Sequence, residues 1–350
     1  MEKEKNPRLN KVGGQAVLEG VMMKAGQDCA TACRREDGSI VVLPRKFVSV
    51  RKKYKLLNLP LLRGVVNLVE MLILSMGILT ASAEIVIDEQ DAPKTKAGER
   101  IFSVTMFFAS LIGVALALVL FLLLPRLAAD GIELLTLRFA DAKLGFWRSF
   151  IEGGFKILIF IAYLLLVSLM GDIRRTFEYH GAEHKSIACY ESGQELTPEN
   201  AKKHCRFHPR CGTSFMFVMI LLGVIAGIFV NRLLPGLSPL AYFGIRLLIL
   251  PLVVGIGYEF IMFAGKHDNA AVRILSAPGL WMQRITTREP DEQQLEVAIC
   301  ALKYALVEAF PDFDREAVTY RPKELSDADA AQATQQVCGD EEADCGDGTK

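Results

Sequence analysis

Net charge is absent from this chain: 40 basic and 40 acidic side chains balance across 350 residues. Neither end makes a nucleic-acid arm. Residues 1–55 hold 13 basic and 6 acidic residues without interleaved aromatics, and residues 289–350 hold 5 basic and 16 acidic, which would repel phosphate. An apolar h-region ahead of a small-residue cleavage site is missing from the first 55 residues, so no signal peptide is expected. The eight cysteines (29, 33, 189, 205, 211, 300, 338 and 345) are spread along a long chain, which argues against a disulfide framework. Gly13-Gly14 fits neither the dinucleotide fingerprint nor the P-loop spacing, so no ATP-driven pump is implied and the pair is read as a bend in a β segment. Histidine is scarce, with five residues.

What the chain has in excess is apolar sequence: 51% hydrophobic residues and a mean hydropathy of +0.28. No charged residue occurs between Ile101 and Pro125, nor between Cys211 and Asn231. Either run can cross a bilayer core about 30 Å thick as a helix. The expected fold is therefore mainly α, a polytopic helical membrane protein with about four spans and a small N-terminal β module. The spans are expected near 103–124, 150–171, 213–231 and 242–264, within a bundle covering 101–265.

Residues 1–10 are charged and expected to be disordered. Within the basic 1–55 module, Val12 to Lys24 reads as a glycine-punctuated β segment. Cys29 to Val42 reads as a hairpin, because Asp37-Gly38 favours a tight turn before Ile40. The apolar 56–87 stretch differs from the spans. Arg63, Asn67 and Glu70 share one helical face, which is expensive in lipid. That segment is read as amphipathic or re-entrant: it lies in the interface, re-enters, or packs its polar face into the bundle. Arg246 is read as an anchor snorkelling outward, and Glu259 as either a paired carboxylate or a group facing a site. Residues 266–320 read as interfacial and amphipathic helices, with Leu295, Ile299, Leu302 and Leu306 on one stripe. Residues 321–350 read as an acidic disordered tail. With 56–87 not crossing, the positive-inside rule puts both termini and the basic 172–212 loop in the cytoplasm of a bacterial inner membrane.

The histidines carry the chemistry. His180, His184, His204 and His208 fall within 29 residues, and His267 follows the fourth span. Three distant segments thus reach one depth on one side, as a metal site needs. His180-Gly181-Ala182-Glu183-His184 is an H-x-x-E-H pattern. On a helix the two histidines point the same way and suit two ligands of one Zn²⁺, with Glu183 beside them as general base. Gly181 weakens that helix by about 1 kcal/mol against Ala. Cys205 and Cys211 add soft ligands in the second window, His204 to Ser214. Together these offer more ligands than one tetrahedral ion uses. One catalytic ion, a two-metal site, or one catalytic and one structural ion all remain open, as does Cys205 or Cys211 acting as a nucleophile with His208.

The segments GGQAVLEGVMM, LPLLRGVVNLVE, EYHGAEHKSIACYE, HPRCGTSF and PGLWMQRITTREPDEQQLEVAI together resemble the YqhQ-like family of bacterial membrane proteins, over about residues 10–310. The resemblance implies a multi-pass membrane protein of a family described as candidate metal-dependent enzymes. It supplies no reaction. The expected function is a membrane-embedded metal-dependent hydrolase holding a divalent metal, most simply Zn²⁺, at the cytoplasmic membrane surface. Its expected partners are membrane lipid and a peptide or lipid-linked substrate, with no nucleic acid. The rival expectation is a non-enzymatic metal-binding scaffold, regulator or transporter.

Overall fold

The computed structural model describes residues 8, 11–86, 96–141, 144–145, 147–208, 210–264 and 270–319. His267, the charged residues around Arg8 and the acidic tail with Cys338 and Cys345 lie outside the described residues.

Four strands form an antiparallel meander: β1 (Val12–Val17), β2 (Gly20–Ala25), β3 (Asp28–Arg34) and β4 (Ile40–Lys46). The expected hairpin is β3–β4, closed with Gly38 at φ 84° and Asp37 accepting from Ser39. The single segment expected over Val12 to Lys24 is a second hairpin, which turns at Leu18-Glu19 with Glu19 at φ 48°. No Asn-Gly or Asp-Gly signal marks that turn.

Both faces of this sheet are buried, in the period-2 alternation of strands. Val21, Met23, Ala30, Ala32 and Val42 point to one side. There they meet α5 (Gly171–Glu191) and α10 (Glu292–Ala305), whose Leu295, Ile299 and Leu302, followed by Leu306 just past its end, form the expected stripe. Asp291 and Gln294 close a capping box at the start of α10. Val17, Met22 and Cys33 point to the other side, against Leu74, Ile78 and Ile85 of α1 (Leu62–Val86).

Of the three options for 56–87, the polar face packs into protein. Arg63 forks onto Glu259 through Nε at 2.7 Å and through Nη2. Asn67 accepts from Arg51 at 3.3 Å, and Glu70 accepts from Ser49 and from the Val50 amide at 2.7 Å. Glu259 is thus a paired carboxylate of the bundle.

Among the described residues, five helices are long and apolar enough to cross a membrane: α1, the 111–140 stretch, α4 (Trp147–Val167), α7 (Gly212–Leu233, apolar over Met216–Leu233) and α8 (Pro239–Ala264). Most of their surface faces outward, as at Leu248, 80% exposed. Apolar area on that scale suits lipid, not water. The first span, expected to end near 124, runs on as one helical rod: α2 (Lys96–Leu118), a π-helical turn (Val119–Leu123) and α3 (Leu124–Ala140). Pro125 explains the turn. Its ring would clash with the carbonyl four residues back, and the wider ladder makes room.

Arg246 does not snorkel. Its side chain is 9% exposed and donates to Glu152 at 2.7 Å, to the Gly223 carbonyl at 2.8 Å and to the Tyr242 hydroxyl at 2.6 Å. A buried carboxylate one helix away outcompetes the interface. Short α6 (Pro198–Lys202) and α9 (Ala270–Thr286) complete the chain.

Candidate metal centre

Three segments meet beside the sheet: α5, the loop between α6 and α7, and the end of α9 with the residues after it. His180 and His184 are one turn apart on α5, with ring centroids 4.4 Å from each other. Cys211 is the N-cap residue of α7.

Ligand atoms of His180, His184 and Cys211 all lie within 4.8 Å of one another. His180 Nδ1 lies 2.8 Å from the Thr286 carbonyl, and its Nε2 lies 3.2 Å from Cys211 Sγ. His184 Nδ1 lies 2.5 Å from the Arg206 carbonyl. A carbonyl only accepts, so each Nδ1 holds a proton, which in the neutral ring leaves the lone pair on Nε2. Metal-binding histidines are oriented in this way by outer partners. Burial pushes the His184 pKa down, which favours the neutral ring a metal requires. Two imidazoles and a thiolate suit Zn²⁺ with a fourth position left open.

His208 stands beside this group, its ring 5.5 Å from that of His184. Its Nε2 is 3.8 Å from Glu191, so the carboxylate competes for it. Two expected ligands are elsewhere. His204 contacts Gln194 at 3.1 Å and Ser192 at 3.5 Å, and Cys205 is exposed and receives the Phe207 amide at 3.4 Å. The backbone is not helical from His204 to His208, so the two do not share a helical face.

Glu183 lies outside the triad of ligand atoms, on the side of α5 that meets β1. It is 5% exposed, and its Oε2 is buried with no hydrogen-bond partner among the described residues. Burial raises its pKa to about 7, against a smaller opposing pull from His180. Gly14 is what admits it. A Cβ there would stand 2.9 Å from Glu183 Cγ and Cδ, whereas one at Gly13 would meet nothing within 4 Å. Gly14 is therefore the floor under Glu183, not a bend.

Gly181 likewise has a cause. The Arg288 amide donates to the Phe177 carbonyl at 2.8 Å, and the Arg288 carbonyl would lie 2.0 Å from a Cβ on Gly181. The chain after α9 crosses α5 at that point, and helix α5 continues through it unbroken.

Gln283 was not visible from sequence. It is fully buried, accepts from the His208 amide and donates to the His208 carbonyl, both at 2.8 Å. This amide-on-amide clasp fixes the loop that delivers Arg206 and Cys211. Lys185, also buried, ties α5 to the Lys202 carbonyl and to Glu289, each at 2.9 Å.

Fold and site together define a class: a helical membrane protein with a two-histidine, one-cysteine cluster set between its bundle and a small β-sheet. Within that class the chain belongs to the family described as "Protein of unknown function (DUF1385)", whose model matches residues 59–308. It is 37% identical over 312 residues to a Bacillus subtilis (strain 168) protein named "Uncharacterized protein YqhQ", covering 85% of this chain and 92% of that one. No solved structure matches.

Proposed function

We propose that this protein is a metal-dependent hydrolase of the bacterial inner membrane, acting at the cytoplasmic surface on a peptide or lipid-linked substrate. One observation carries the reading: two histidines, each with Nδ1 spent on a backbone carbonyl, approach the same cysteine sulfur. A cysteine nucleophile needs one base; two fixed lone pairs beside one thiol are a ligand set. His180, His184 and Cys211 would hold the ion, and Zn²⁺ suits them. When bound, it would polarise a carbonyl or phosphoryl group and lower the pKa of water. Glu183 is the general base in this reading. Its buried carboxylate, with a pKa of about 7, takes up a proton at Oε2, where no donor among the described residues competes.

The test has two arms. Purified wild type should carry about one transition-metal ion per chain, and His184→Ala should lose most of it, as a three-ligand site tolerates little loss. Glu183→Gln should keep the metal and the thermal stability but fail to complement a deletion strain. Full complementation by Glu183→Gln would favour the scaffold reading. Wild type free of metal after purification without chelator would end the hydrolase reading.

A further inference from the structure

Beside the cluster opens a cleft of about 440 Å³, within the size range of small-molecule sites. Four guanidinium groups line it: Arg174, Arg206, Arg284 and Arg288. Two carboxylates share the lining, leaving a local excess of positive charge. Glu178 lies 3.6 Å from Arg174, and Glu289 lies 3.4 Å from Arg206. Arg284 and Arg288 have no acidic partner among the described residues. The Nε atoms of Arg206 and Arg288 are buried with no acceptor among those residues. Buried donors of this kind are normally satisfied, and here they belong to side chains that line an open cleft.

The cleft also has an apolar wall. Leu165 is near the end of membrane-length helix α4, beside outward-facing Leu166 and Leu169, and Ile285 is in the last turn of α9. Charge at one end and lipid-facing hydrocarbon at the other match an amphiphile. Planar guanidinium forks favour phosphate oxygens, which they engage through paired hydrogen bonds.

The cleft adjoins the candidate metal centre through its own backbone. The Arg206 carbonyl that orients His184 belongs to a residue whose side chain lines the cleft. Thr286, which orients His180, is followed directly by Thr287 and Arg288 of the lining. We infer that this cleft binds a phosphate-bearing anion, the head of an anionic lipid or a soluble phosphate ester, and presents it to the cluster. As a statement about the substrate it rests on the hydrolase reading; as a binding site it stands on the cleft alone.

Native mass spectrometry of the full chain in detergent tests it, with dioleoyl phosphatidic acid, dioleoyl phosphatidylcholine and glycerol 3-phosphate as probes. Wild type should retain phosphatidic acid roughly tenfold or more over phosphatidylcholine, the scale of one or two charge-assisted hydrogen bonds. The double variant Arg284→Gln/Arg288→Gln should lose that preference while keeping its metal content and thermal unfolding. Arg232→Gln, exposed at the far end of α7, controls for charge alone and should keep it. Displacement of phosphatidic acid by equimolar glycerol 3-phosphate would assign the site to soluble esters, and retention against it would assign a lipid head. Equal retention of the two lipids by wild type, or undiminished preference in the double variant, overturns the anion site. Metal-free protein that still selects phosphatidic acid would keep the cleft and remove the hydrolase.

Discussion

One methyl group separates what Gly13 and Gly14 tolerate. A Cβ on Gly13 meets open space, and one on Gly14 strikes the Glu183 side chain and the Met22 carbonyl. Gly13→Ala should therefore complement a deletion strain fully. Gly14→Ala should displace the Glu183 carboxylate by a fraction of an ångström or more, and misplacement on that scale costs on the order of 100-fold in rate. Metal content should be unchanged in both. Equal behaviour of the two variants in complementation would detach Glu183 from function. The H-x-x-E-H pattern made the shared face of His180 and His184 legible, because residues four apart on a helix are neighbours, whereas Glu183, one residue from His184, faces β1 instead. Gln283, Thr286 and the Arg206 carbonyl were not legible. Two of the three act through the backbone, which has no residue-type signature, and Gln283 earns its place only through a loop distant in sequence.

Among the elements, long apolar runs announced α4, α7 and α8 within a few residues, since lipid demands a continuous stretch of hydrocarbon. The reading failed where a local feature had a distant partner. The first span, expected to end near 124, instead passes through a π turn just before Pro125 and continues as helix. Arg246 looked like an anchor, but Glu152 on α4 holds it inside the bundle. Tyr242 donates to the same carboxylate at 3.1 Å, and the Arg126 guanidinium stacks over the Tyr242 ring at 3.7 Å. Removing one member of such a buried pair strands a charge and costs about 3–5 kcal/mol, whereas removing both costs far less. Arg246→Leu and Glu152→Leu should each lower the thermal midpoint in detergent clearly. The double variant Glu152→Leu/Arg246→Leu should recover much of that loss. Additive losses would show that the pair is not coupled.

Across the whole molecule, the site, the sheet and the cleft share one end of the bundle. Helix α5 starts four residues after α4 ends, Cys211 opens α7, and Thr286 ends α9, so each connection returns to that end. The sheet is held there between α1 and the α5–α10 pair. Helix α1 has a second apolar side facing out, with Ile73 69% exposed. A helix that holds a sheet on one side cannot surround itself with lipid. The same end carries Arg174, Arg175, Lys185, Lys202, Lys203, Arg206 and Arg210, and the proposed cytoplasmic placement of that end rests on this concentration of positive charge. Cys29 and Cys189 are too buried to report on this, but Cys205 is exposed. A membrane-impermeant maleimide on intact cells should leave Cys205 unlabelled and label it once the inner membrane is permeabilised. A cysteine introduced by Ser238→Cys, in the connection between α7 and α8 at the opposite end, should label without permeabilisation. The reverse pattern would turn the molecule over and put the cluster on the outer face, where the cytoplasmic substrate of the proposed hydrolase could not reach it.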